Sequence, residues 1–138
     1  METATFSSRD RRCLERAADL YLRWCYRNRT AARATEFAAM LGWSQSYLSR
    51  FVAAVTGSSV RDYLRRRQLA YAAYLLRATP LSNSDVALAS AFGTPSTFYR
   101  CFVAAYGKTP AMYRRAPDDA AGVDTNIVIS PIEVMKCE

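Results

Sequence analysis

Thr94-Pro-Ser-Thr-Phe-Tyr-Arg-Cys-Phe-Val-Ala-Ala-Tyr-Gly-Lys-Thr-Pro-Ala-Met-Tyr-Arg-Arg115 reads as one helix with marked ends, followed by the start of another. Thr94 supplies an N-terminal cap, and Pro95 occupies the first helical position, where a missing N–H costs nothing. Phe98, Cys101, Phe102 and Ala105 recur at three- and four-residue steps and make one apolar face. Gly107 stops the helix, and Thr109-Pro110 starts the next by the same cap-and-proline device. The opposite face near the start carries Ser96, Thr97 and Arg100, with no acid among them. Short hydroxyls beside a guanidinium suit a base edge and a phosphate better than a catalytic site.

An earlier stretch has the same layout. Glu36 to Leu41 is a short helix capped by Thr35, Gly42 permits a tight turn, and Trp43 plugs the core beneath it. Ser44 caps a second helix running to about Val55, with Tyr47, Leu48, Phe51 and Val55 inside and Gln45, Ser46, Ser49 and Arg50 outside. Helix, tight turn, helix is an arrangement whose second helix can lie in a major groove. Ala38-x-x-x-Gly42 is echoed by Ala87-x-x-x-Ala91 at an offset of 49, and Leu48-Ser49-Arg50 by Phe98-Tyr99-Arg100 at an offset of 50. The chain therefore repeats itself, with one extra residue in the second turn. Ser59 to Ala78, rich in Ala and Leu, is a joining helix of roughly 27–30 Å. Its apolar positions Val60, Leu64, Ala72, Leu75 and Leu76 form no single stripe, which fits a helix touching one body at each end. Two reading helices on one side of a duplex would then stand roughly 34 Å apart, one DNA turn.

The expected fold is all-α: two homeodomain-like helix-turn-helix subdomains, residues 9–58 and 79–115, joined by a long linker helix over 59–78. Residues 1–8 are expected to be disordered, with Ser7-x-x-Asp10 as a capping signature. From Arg9 to about Arg27, Leu14, Ala17, Ala18, Tyr21, Leu22 and Cys25 make an apolar side, and Arg11, Arg12, Arg16, Arg23 and Arg27 a basic one. That helix reads as a core cover with a solvated face rather than a DNA contact. The arginines of the joining helix (Arg61, Arg65, Arg66, Arg67, Arg77) read as solvated or phosphate-screening. Residues 116–138, broken by Pro117, Gly122 and Pro131, read as a mobile acidic tail.

The 138 residues carry a net charge of +7, unevenly placed. Residues 1–115 hold 18 basic and 7 acidic side chains, and residues 116–138 hold one and five. A strongly basic body points to an anionic partner. Histidine is absent and the four cysteines form no C-x-x-C pair, so the usual zinc spacings are missing. No glycine-rich phosphate loop and no carboxylate pair framed by a pocket pattern is present, so an enzyme is a poor reading and no metal or cofactor is expected. With no apolar leader and no membrane-length run, the expectation is a cytoplasmic protein with reduced thiols.

Phe98-Tyr-Arg-x-Phe102-x-x-x-Tyr-Gly107-x-Thr-Pro110-x-x-Tyr-Arg114, set beside Ala38-x-x-x-Gly42-x-Ser44-x-x-Tyr47-Leu48-Ser49-Arg50, resembles the DNA-binding domain of AraC/XylS-type transcription regulators. So do Gly57-x-Ser59-x-x-x-Tyr63-Leu64 and the Ala72-Ala73-x-Leu75-Leu76 pattern, and the resemblance covers about Arg9 to Arg115. It implies binding to double-stranded promoter DNA, usually activation of transcription, and often contacts to RNA polymerase. It places reading helices at Gln45–Val55 and Pro95–Tyr106. The positions matching DNA contacts are Gln45, Ser46, Ser49 and Arg50 in the first and Ser96, Thr97 and Arg100 in the second, with Lys108 and Thr109 near the backbone, where N–H groups at a helix start hold phosphate.

The chain departs from the family pattern in three places. Phe51 and Val52 look exchanged, which alters packing of the first reading helix. Ala91 stands where a turn glycine is common, which strains the second turn. Positions 53–54 and 103–105, often basic in the family, are Ala-Ala and Val-Ala-Ala, which removes phosphate contacts and predicts weaker or less salt-dependent binding. The chain has no room for a small-molecule sensing domain and resembles the stand-alone type. The competing reading is a degenerate member that binds another regulator or RNA polymerase as a protein-interaction module.

Overall fold

The computed structural model describes residues 8–116. They form seven helices: α1 (Ser8–Asn28), α2 (Ala34–Leu41), α3 (Gln45–Thr56), α4 (Val60–Ala78), α5 (Asn83–Ala89), α6 (Pro95–Tyr106) and α7 (Pro110–Arg115), and no strand occurs among the described residues. The start of α1 at Ser8 moves one residue out of the stretch expected to be disordered; the Ser7 cap and the acidic tail lie outside the described residues.

Most helix starts are written in local chemistry. The hydroxyls of Ser44, Ser59, Ser82, Thr94 and Thr109 each accept from the backbone N–H three residues on, at 3.0–3.2 Å. Each such cap satisfies a donor the helix leaves open and is worth about 1 kcal/mol. The expected Thr35 cap is wrong. The helix begins two residues earlier, at Ala34, with Arg33 in the cap position and no side-chain bond. Tertiary contact holds this end instead: the Arg33 N–H donates to the Tyr21 hydroxyl at 2.9 Å, and that hydroxyl donates to Glu36 Oε1 at 2.7 Å.

The repeat is visible in the backbone bonds. Gly42 and Trp43 donate to Ala39 and Ala38, and Ala91 and Phe92 donate to Leu88 and Ala87, all at 3.0–3.3 Å. Gly42 has φ +74° and Ala91 has φ +68°, so both turns need the left-handed region. The extra residue of the second turn is Gly93, at φ +85°. A Cβ there would stand 3.2 Å from that of Ala31, in the connector between α1 and α2.

Two apolar cores share one helix. Leu14, Ala18, Tyr21, Leu22 and Cys25 of α1 pack with Phe37 of α2, Leu48 and Val52 of α3, and the first half of α4 through Val60, Tyr63 and Leu64. The second half of α4 (Leu69, Ala72, Leu75, Leu76) packs with Val86, Phe92, Phe98 and Phe102. The joining helix thus touches a body at each end, and α1 covers the first core. The basic side of α1 needs correction: Arg23 is buried, with a Nε that has no partner among the described residues, and Arg11 donates to the Val55 carbonyl at 2.6 Å.

The units are also stitched together. Gln68 of α4 is buried, and its Nε2 donates to the carbonyls of Ser90 at 3.2 Å and Ala91 at 2.9 Å. The Ala32 N–H donates to the same Ala91 carbonyl at 3.1 Å. A left-handed Ala91 therefore aims its carbonyl back into the first unit, and its side chain counts in the first core.

Candidate nucleic-acid interface

Leu48, Val52, Phe51 and Val55 anchor α3 from inside, which leaves Gln45, Ser46, Ser49 and Arg50 exposed. In α6, Phe98 and Phe102 are inside, while Ser96 and Arg100 are exposed and Thr97 is half-buried. Ser46 corresponds to Ser96 and Arg50 to Arg100, each 50 residues on and at the same place relative to its capping hydroxyl. Lys108 and Thr109 are half-buried between α6 and α7; the Thr109 oxygen accepts from Met112 N–H at 3.1 Å, and its hydroxyl proton remains free to donate.

Arginines fall into two groups. Arg67 is buried, pairs with Asp19 and donates to the Tyr63 hydroxyl at 3.1 Å. Arg77 lies 3.9 Å over the Tyr113 ring, and Arg114 donates to the Thr79 carbonyl at 2.9 Å and to that of Leu81. These are structural, so the reading of Arg67 and Arg77 as solvated is corrected: their stems and forks complete the core edge, where a guanidinium pairs and stacks at once. Among the described residues, Arg50 and Arg100 have no acid, carbonyl or ring partner. Their five donors each are open to an external acceptor.

Several apolar assignments also change. Tyr47 is 45% exposed and Tyr99 51%, so both stand on the reading faces. Trp43 is half-buried rather than a core plug and sits edge-on to Tyr47 at 4.8 Å. Val52 takes the inner place expected of Tyr47. Ala105 is exposed, and Tyr106 replaces it on the inner face by stacking on Phe102 at 4.4 Å. Sequence spacing held the signal for both tyrosines: Tyr47 precedes Arg50 by three residues and Tyr99 follows Ser96 by three, the helical step that shares a face. Ala53, Ala54, Ala104 and Ala105 are exposed and offer no donor.

Catalytic alternatives find little here. Burial pushes the Cys25 thiol up to about 11, which keeps it protonated and inert, and burial likewise raises Tyr21. Among the described residues no three His, Cys, Asp or Glu side chains gather where a metal could sit, and no helix is long and apolar enough to cross a membrane.

A family profile described as a helix-turn-helix domain matches residues 37–116. The right origin-binding protein of Escherichia coli is 39% identical over 84 residues, which cover 61% of this chain and 29% of that protein. The chain thus spans less than a third of the length of that relative. The regulatory protein SoxS of Escherichia coli is 37% identical over 73 residues, covering 53% of this chain and 68% of that one. Among solved structures, the DNA-binding domain of AdpA, a global transcriptional factor in complex with a target DNA, superposes with a TM-score of 0.61 at 23% identity, over 71% of this chain and 89% of that one. At that identity the likeness shows the fold alone.

Proposed function

This chain belongs to the AraC/XylS-type helix-turn-helix family, a family of transcription regulators, and on that premise we propose that it is a sequence-specific DNA-binding regulator that places α3 and α6 in adjacent major-groove segments of a promoter. One observation carries the reading. Arg50 and Arg100, at equivalent places of two repeated helices, stand exposed with no partner among the described residues, whereas Arg67, Arg77 and Arg114 are held inside the fold by an acid, a ring and carbonyls. Arg50 and Arg100 would each fork onto a guanine edge or a phosphate. Gln45, Ser46, Ser49, Ser96 and Thr97 would supply shorter contacts, Tyr47 and Tyr99 would pack on sugar or base methyls, and Lys108 and Thr109 would meet the backbone. The DNA target places its action in the cytoplasm, and activation through RNA polymerase is the regulatory output that fits the family.

The exposed alanines in the last turn of each reading helix favour a second reading, a relative that binds another regulator or the polymerase instead of DNA. Selection of bound fragments from genomic DNA separates the two. The groove reader should recover two half-motifs about one helical turn apart, absent with an Arg50→Ala, Arg100→Ala variant. Weak, sequence-blind and salt-sensitive binding by both proteins would instead establish the protein-interaction module.

A further inference from the structure

A cleft of about 270 Å³ opens where the two units meet. Its walls are the connector before α2, the first half of α4, the α5–α6 turn and the first turn of α6. Small side chains at Ala31, Ala32 and Ala34 keep it open, and Gln68, already bonded to the Ser90 and Ala91 carbonyls, forms part of its floor. Arg33, Arg61 and Arg65 line it, and no aspartate or glutamate does. None of these guanidiniums has a partner among the described residues, in contrast to Arg66 and Arg67, which directly follow Arg65 on α4 and bond Ser58 and Asp19. Thr97 of the reading helix α6 completes the lining with a hydroxyl.

We infer that this cleft is a phosphodiester site, which seats the DNA backbone in the segment between the two groove-bound helices. The inference rests on the DNA-binding reading above and deepens it. Three cationic forks without a counter-acid, together with a hydroxyl donor, match the oxygens of successive backbone phosphates, about one to each guanidinium, and present no carboxylate to a cation. The position fits that role: Thr97 belongs both to the reading helix α6 and to this lining, so the cleft adjoins the DNA that the helix would hold. The site also replaces what the reading helices lack. Positions 53–54 and 103–105 carry no cation, and the junction concentrates three. The salt dependence given up at the helix ends is thereby restored between them.

The test measures affinity for the selected site against salt, for wild type and for an Arg33→Ala, Arg61→Ala, Arg65→Ala variant. Arg33 and Arg61 are exposed and Arg65 half-buried, and none of the three side chains bonds another described residue, so helicity and melting should be those of wild type. The slope of log affinity on log salt should fall by about 2–3, at roughly 0.9 for each phosphate no longer neutralised. Sequence preference should stay, and the triple lysine variant should keep most of the slope. On a duplex with methylphosphonates between the half-motifs, wild type and variant should bind alike. If the triple variant unfolds, Arg61→Ala alone should lower the slope by about 1. An unchanged slope on the native duplex, or an equal drop on both duplexes, overturns the inference. So does a melting shift with inorganic phosphate, abolished in the variant while the DNA slope is unchanged, which would make the cleft a free-anion pocket. A wild type that selects no motif would defeat the DNA-binding reading itself, whereas one that selects a motif with arginine-independent slope defeats only the cleft.

Discussion

The two helix-turn-helix units share a backbone and differ in what fills it. At the first turn a glycine takes the left-handed conformation in open space; at the second an alanine takes it, buried to 2%, and a glycine is added after it. An L-residue there costs about 1–2 kcal/mol. The second unit recovers it through hydrogen bonds the first turn does not make, since the Ala91 carbonyl receives both Gln68 and Ala32. The cores differ by an exchange of bulk. Equivalent inner positions hold Phe51 and Val52 in α3 but Cys101 and Phe102 in α6, so the second core closes with Phe98, Tyr106 and Tyr113 around Phe102. The first core instead leans on α1, for which the second has no counterpart among the described residues. A repeat of helix ends and turns therefore conserves geometry while volume is redistributed freely around it.

The largest effect should come from the ring at the centre of the second core. Phe102→Ala removes a fully buried ring and should cost about 3–5 kcal/mol in a urea melt. A loss of protection confined to α5–α7 in amide exchange, with α1–α3 protected as before, would show the units to be separable; a loss spread over both would show α4 and Gln68 coupling them.

The reading helices come next. Arg50→Ala and Arg100→Ala should each weaken specific binding by about 1–3 kcal/mol without change of fold. Each should relax preference at its own half-motif only. Relaxation of both half-motifs by one substitution would break the picture of two independent readers.

The turns can be exchanged directly. Gly42→Ala should destabilise by about 1–2 kcal/mol through its positive φ alone. Ala91→Gly should be near neutral, since relief of strain is offset by about 0.8 kcal/mol for the missing buried methyl and by added chain entropy. Equal and large losses of stability in both variants, read from denaturant midpoints, would mean that the turns are not equivalent in kind.

The smallest effect is alkaline. Burial raises Cys25 to about 11, and burial raises Tyr63 and Tyr106 to about 12, the first opposed by Arg67 and the second reinforced by Tyr113. Each folded pKa lies above its unfolded value, 9.0 for the thiol and 10.0 for the phenols. Their contribution is therefore complete below pH 9 and is lost as pH rises toward about 11–12. The denaturant midpoint should be flat from pH 7 to 9 and fall beyond it. Cys25→Ala should delay the onset by about a unit, and an unchanged onset would remove the thiol from the account.

Periodicity, caps and offsets were enough to place α3, α4 and α6 to within a residue or two, together with the repeat and the exposed Arg50 and Arg100, because each depends on neighbours a few residues away. Where the reading failed, a distant partner decided. Arg33 caps α2 because Tyr21 of α1 meets its N–H; Tyr47 is left outside as Leu48 and Val52 pack into the core with α1 and α4; Arg67 is buried because Asp19 waits on another helix. The left-handed Ala91 could be suspected from the repeat, but not the Gln68 amide and Ala32 N–H that hold it, nor the cleft those bonds frame. Local pattern determines which segments are helices and which face is apolar, since those are short-range steric and burial preferences. Which polar group finds which partner across the fold is settled only when the helices pack, because a buried donor must be satisfied by whatever the assembled structure brings within about 3 Å.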